Sequence, residues 1–240
     1  KSLVLTDLPD KIRQVNTCEI TNRKEYMDAE RDLIMYLQKY KDADDDKIAK
    51  AMRGEVMVRI NILRQISARG KVRDVIEFVK DFRENGKKII LFCSLHEVVD
   101  QLKRYFPTAV SVTGRDSQDE KQRAVDAFQN NPKADIIICS IKAAGVGLTL
   151  TASSNVAFVE FPWTYADCCQ CEDRAHRIGQ KDSVTCYYFL GRRTIDEKVY
   201  RIIQEKKNIA NAVTGSTEDI EENIVDMVAR IFDADYDDEE

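Results

Sequence analysis

The sequence predicts an α/β fold: a doubly wound parallel sheet with helices on both faces, an N-terminal helical hairpin and further helices at the C-terminal end. Three observations carry this. The runs Lys88–Cys93 (KIILFC) and Asp135–Cys139 (DIIIC) are apolar almost throughout, as strands covered on both faces must be. Amphipathic segments of helical period separate such runs, and right-handed crossovers between parallel strands then wind the sheet doubly. Ser117 with Glu120, and Thr194 with Glu197, have the spacing of capping boxes, which open helices directly after strand-like stretches.

In chain order, residues 1–20 read as an extended lead-in, with turn chemistry at Pro9–Asp10 and a strand over Val15–Ile20. Asn22 is placed to cap a helix running to about Tyr40, on which Tyr26, Ala29, Leu33, Tyr36, Leu37 and Tyr40 recur at helical spacing. The acidic run Asp42–Asp46 breaks it. A second helix follows over about Lys47–Ala68, with Val56, Ile60, Leu63 and Ile66 on one stripe, and Gly70 is expected to stop it. From Lys71 the pattern alternates. A helix carrying Val72, Val75, Ile76, Val79 and Phe82 precedes strand Lys88–Cys93; then come helix Leu95–Tyr105, strand Ala109–Val112, a helix from Ser117 to about Phe128, and strand Asp135–Cys139. Strand Val156–Phe161, helix Tyr165–Ala175 and strand Val184–Leu190 complete the sheet. Thr194 opens a helix through about Ala212, Gly215 ends it, and a last helix spans about Glu218–Phe232. The expected division is 1–69 for the lead-in and hairpin, 70–212 for the α/β lobe, 213–232 for a C-terminal helix and 233–240 for a disordered acidic tail.

A chain of 240 residues, 43% hydrophobic, can bury one sizeable core and an appendage. It contains neither a membrane-length apolar run nor a charged-then-apolar leader, and a first residue of Lys1 suggests a piece of something longer. The seven cysteines are an odd number, several of them in apolar runs, which favours buried thiols in a reducing compartment. The net charge of −5 is uneven: residues 217–240 carry −10, leaving +5 on the rest, so a mildly basic body can still follow phosphates.

Ligands of such sheets gather where the loops leave the carboxyl ends of the strands. In QCEDRAHRIGQ, Gln170 to Gln180, Arg174 and Arg177 stand three apart and on a helical turn would project on one side, two permanent cations suited to a polyphosphate. The alternative is a solvated Arg face paired with Glu172 and Asp173. In SIKAAGVGLTLT, Ser140 to Thr151, Gly145 and Gly147 allow backbone to approach an anion, while Lys142 and the hydroxyls of Ser140 and Thr149 can touch phosphates. Cys168 and Cys171 form a CxxC without a second pair or a His at zinc spacing. Within these 240 residues there is no phosphate-cradling P-loop, and no apolar strand runs into Asp–Glu to hold Mg²⁺.

Taken whole, Gln170, Arg174, Arg177, Gly179 and Gln180 resemble helicase motif VI in the form used by the SWI2/SNF2 family of double-stranded DNA translocases. Residues 140–151 resemble motif V of that family, Ser94–Glu97 (SLHE) resembles motif IV, and Thr113–Ser117 (TGRDS) resembles a further DNA-facing motif in which Asp more often stands where this chain has Thr113. Glu160 with Trp163 is similar to the branch that includes annealing helicases and bacterial members. The resemblance implies a RecA-like second lobe, a DNA-dependent ATPase only in combination with a first lobe that binds ATP and Mg²⁺. It further implies that Arg174 and Arg177 are arginine fingers, that Gly145, Gly147, Gln170, Asp173 and Gln180 lie at the nucleotide, and that Ser94, Thr113, Lys142, Thr149 and Trp163 contact double-stranded DNA. Its setting would be the nucleus or a bacterial nucleoid, with no membrane partner. The rivals are a non-catalytic DNA- or protein-binding module and a lobe of another superfamily 2 helicase.

Overall fold

The computed structural model describes residues 8–41, 46–143, 147–207, 225–229 and 232. Asp42, Gly145, Gly215 and the acidic end from residue 233 lie outside them. The elements, in order, are β1 (Lys11–Cys18), α1 (Arg23–Lys41), α2 (Asp46–Glu84), β2 (Ile89–Cys93), α3 (His96–Tyr105), β3 (Val110–Val112), α4 (Gln118–Asn130), β4 (Ile136–Ser140), β5 (Asn155–Phe158), α5 (Tyr165–Glu172), β6 (Val184–Gly191) and α6 (Ile195–Lys207). The six strands form one sheet in the order β1-β6-β5-β2-β4-β3. Every pairing among β2 to β6 is parallel, as expected from the apolar runs. No described helix is long and apolar enough to cross a membrane.

Contacts divide the chain into two compact units. The first holds residues 1–19 and 71–190, the second residues 20–70 and 191–240. In the first unit β2 and β4 are buried along their whole length. Register brings Phe92 beside Phe158 and Phe158 beside Tyr188, and their rings stack across three strands at centroid separations of 5.2 and 4.7 Å. The neighbouring β6 residues Tyr187 and Phe189 point to the opposite face, as strand alternation requires, and meet Phe78 of α2 at 4.9 and 5.0 Å. Helices therefore cover both faces of the sheet. Six of the seven cysteines are buried and all seven are free thiols; burial pushes Cys139 up to about 12.

In the second unit Tyr26, Leu33, Val56, Ile60 and Leu63 are fully buried, the stripes expected of an amphipathic pair of helices. Gly70 does not stop its helix. α2 continues through it to Glu84, and a β-carbon on Gly70 would lie 2.2 Å from Asn22 Oδ1 and 2.7 Å from Ile20 Cβ, so this glycine is a close-packing residue. Asn22 occupies the cap position, its carbonyl accepting from Tyr26 N, yet its side-chain amide donates to Ile66 O and Glu25. Ser117 and Glu120 make the full capping box. At Thr194 the pair is displaced: Glu197 accepts from Arg193 N, and the Thr194 hydroxyl accepts from Asp196 N and donates to Gly191 O.

Candidate functional site

Parallel register fixes where the marked residues gather. Cys93 is level with Ser140, Cys139 with Val112, and Phe92 with Phe158, so the segments that follow β2, β3, β4 and β5 all leave the same edge of the sheet. Ser94, Thr113, Lys142 and Trp163 lie in those segments. Ser94 and Lys142 are exposed and Trp163 is half-buried. Beneath them Glu160 is buried, and one carboxylate oxygen accepts from Ser94 N and Leu95 N, both at 2.8 Å. Thr113 is buried, its hydroxyl donating to Asp116 and accepting from Arg115 N, so it shapes a turn and does not offer a free hydroxyl to a ligand.

The two arginines are not on a helix. α5 ends at Glu172, two residues earlier than Arg174, and a series of turns follows. The Glu172 carbonyl accepts from both Ala175 N and His176 N, at 3.1 and 3.0 Å, and the Arg174 carbonyl is drawn away from a helical bond to accept from Leu150 N at 2.9 Å. Arg177 then reaches back across the same gap: its Nη1 lies 3.3 Å from Gly147 O, 3.3 Å from Leu148 O and 3.2 Å from Thr149 Oγ1. The segments expected to hold the nucleotide and the DNA are thus joined by backbone and side-chain bonds within one unit.

The acids beside the arginines are engaged elsewhere. Glu172, 0% exposed, takes Arg13 in a bidentate pair, Nε to Oε1 at 2.7 Å and Nη2 to Oε2 at 2.6 Å, together with Lys11 at 2.9 Å and the Tyr188 hydroxyl at 2.8 Å. Burial works against its charge, but Arg13 and Lys11 outweigh burial and hold its carboxyl below the usual carboxylate range. Asp173 accepts from Lys11 at 3.2 Å. The charge of Asp173 favours the Arg174 guanidinium, but more weakly than burial and Arg177 oppose it. Burial, and then the neighbouring Arg177 charge, push the Arg174 guanidinium down, and its buried Nε has no hydrogen-bond partner. Ile178 stands 75% exposed at the crest of the turn, followed by Gly179 at φ 102°, a conformation that favours glycine.

The remaining expected residues divide. Gly147 and Thr149 are at the rim and exposed, and Gln170 is exposed on α5. Gln180, expected at the nucleotide, is buried: its Nε2 donates to Ser153 O at 2.9 Å while its Oε1 accepts from Lys181 N and Asp182 N. Its amide clasps the loops and has no face left for a ligand. Lys11 and Arg13 escape the motifs altogether. Their signal is a period of two, which places both cations on one side of a strand.

Residues 70–179 match the helicase conserved C-terminal domain. Over 145 residues the chain is 33% identical to the SWI/SNF-related matrix-associated actin-dependent regulator of chromatin subfamily A-like protein 1 of Xenopus tropicalis, covering 58% of this chain and 15% of that protein. Over 227 residues it is 30% identical to the human DNA annealing helicase and endonuclease ZRANB3, covering 90% of this chain and 20% of that protein. The chain carries a helicase conserved C-terminal domain, and its relatives are SNF2-family proteins. The Sulfolobus solfataricus SWI2/SNF2 ATPase core in complex with double-stranded DNA shares the lobe's fold, with a TM-score of 0.66 at 23% identity over 87% of this chain and 47% of that one. The lobe spans about a fifth or less of the two curated relatives.

Proposed function

We propose that the lobe is the second half of the motor of an ATP-dependent double-stranded DNA translocase, supplying Arg174 and Arg177 to the γ-phosphate of an ATP held, with Mg²⁺, mainly by a first lobe of the same polypeptide. One observation carries this reading. Two guanidinium groups close enough for one charge to weigh on the other stand on the turn between α5 and β6, which is bonded to the segment after β4, while the acids next to them in sequence are bound by Lys11 and Arg13. Such an arrangement suits an external polyanion, and the unpartnered Arg174 Nε is a donor in want of an acceptor.

On this reading, closure of the two lobes brings both arginines to the charge that develops on the transferring phosphoryl group, a contribution of roughly 10³–10⁵ in rate. The exposed Ile178 and the cationic turn would face the first lobe. Ser94, Lys142, Thr149 and Trp163 would hold the DNA backbone without reading sequence. Thr113 and Gln180 would act indirectly, by shaping the loops. Support for duplex DNA as partner comes from the names of the relatives and from the DNA-bound archaeal core.

The test is made in the two-lobe protein. Arg174→Ala and Arg177→Ala should each abolish DNA-stimulated ATP hydrolysis while leaving ATP binding intact, and the lobe alone should hydrolyse none. Turnover retained in both variants would contradict the assignment. Stimulation by single strands or RNA in preference to duplex DNA would point to another kind of superfamily 2 helicase.

A further inference from the structure

The turn that carries Arg174 and Arg177 is tied on one side to residues 147–153 and on the other to the start of β1. The second tie has three parts. Arg13 and Lys11 grip the Glu172 carboxylate, whose own carbonyl receives Ala175 N and His176 N and so sets the course of the turn. Lys11 also reaches Asp173. His176, between the two arginines, meets Pro9 O through Nε2 at 2.7 Å; a carbonyl oxygen can only accept, so Nε2 donates and anchors the ring. Asp10 O accepts from Val184 N at 2.9 Å, continuing the same attachment onto β6. Four residues of the stretch 9–13, namely Pro9, Asp10, Lys11 and Arg13, thus hold the turn from before it to after it.

We propose that Lys11 and Arg13 are positioning residues for Arg174 and Arg177, acting through Glu172 and Asp173, so that docking of residues 9–13 aligns the two guanidinium groups for phosphoryl transfer. The inference rests on the reading of the arginines given above. Its physical basis is the short path from cation to arginine: Arg13 fixes the side chain of Glu172, the Glu172 carbonyl fixes the next turn, and Arg174 and Arg177 flank the amides it holds. A bidentate guanidinium–carboxylate pair sets orientation as well as distance, which a single ammonium does not. Where geometry governs the chemical step, a misplacement of about 1 Å costs on the order of a hundredfold in rate.

The experiment uses the two-lobe protein and compares Arg13→Ala, Arg13→Lys, Lys11→Ala and the double variant Arg13→Ala/Glu172→Gln by DNA-stimulated kcat, KM for ATP and melting temperature. Arg13→Ala should lower kcat by about tenfold to a hundredfold with KM unchanged. Arg13→Lys should recover part of the loss, and Lys11→Ala should produce a smaller loss. Removing Arg13 alone leaves a buried carboxylate with less compensation and lowers the melting temperature; the double variant removes both charges and should regain stability without regaining kcat. Recovery of kcat along with melting temperature in the double variant, or wild-type kcat in Arg13→Ala, would overturn the inference. If Arg174→Ala and Arg177→Ala turn over normally, the reading of the arginines fails; if they are inactive and Arg13→Ala is not, the positioning role alone fails.

Discussion

A β-carbon on Gly70 would lie 2.2 Å from Oδ1 of Asn22, so a helix backbone and the turn before α1 meet with no room for a methyl group. Alanine in place of an interior helix glycine ordinarily gains about 1 kcal/mol. At Gly70 the overlap reverses the sign, because overpacking costs about 1–3 kcal/mol and part of the opposing wall is Ile20 Cβ. Gly54, on the same helix with nothing within 4 Å of its would-be β-carbon, is the matched control. Gly70→Ala should lower the urea midpoint and Gly54→Ala should raise it; shifts of the same sign would contradict the packing argument.

Tyr26 is fully buried, its hydroxyl accepting from Ile195 N at 2.6 Å and donating to Glu30 at 3.3 Å. Tyr26→Phe keeps the ring and leaves the first amide of α6 without an acceptor. A buried donor left unpaired costs about 1–3 kcal/mol. Denaturant titration should show a loss in that range with an unchanged m-value, and a neutral result would mean that Ile195 N finds another partner.

The acid limb of stability should report Glu172. Its folded-state pKa is depressed, so its contribution is present above the unfolded value of about 4.3 and is lost as pH falls through the lower folded value. The melting temperature of the wild type should therefore fall more steeply below about pH 4 than that of the Arg13→Ala/Glu172→Gln variant. Lys11 works in the opposite direction at alkaline pH: its pKa is raised, since pairing with Glu172 and Asp173 outweighs burial, and its contribution disappears as pH rises through that value. Parallel acid limbs for the two proteins would remove the assignment.

Lys142 is exposed at the loop after β4. If it meets a phosphate, Lys142→Ala should weaken binding of the two-lobe protein to duplexes of unrelated sequence to a similar degree. It should also reduce the slope of log K against log salt by about one. A loss confined to one sequence, or an unchanged slope, would argue for a contact other than backbone.

The sheet is legible because its central strands are buried on both faces and have no polar alternative: Ile89–Cys93 and Ile136–Ser140 match the apolar runs to within a residue or two. Ser117 and Glu120 are legible for a local reason, a box that closes within one turn. What escapes is decided at long range. Gly70 has the sequence character of a helix stop, and the space beside Asn22, 48 residues away, is what makes it a packing residue. Beyond the end of α5 the Arg174 carbonyl is claimed by Leu150 N, a bond that no periodicity records. The partners of Glu172 lie at Lys11 and Arg13, while Arg174 and Arg177 are far nearer in sequence, so a local reading of charge gives the wrong pairing.

Glu160 has a bearing on how this edge of the sheet could grip a polyanion. The opening amides of a helix are a ready receptor for phosphate; the two amides that lead into α3, those of Ser94 and Leu95, instead point into the protein, neutralised from within by an acidic side chain. A polyanion laid across this rim would find the backbone leading into α3 already claimed and would have to lean more on hydroxyls and long cationic arms, a surface easier to slide over than one lined with amide cups.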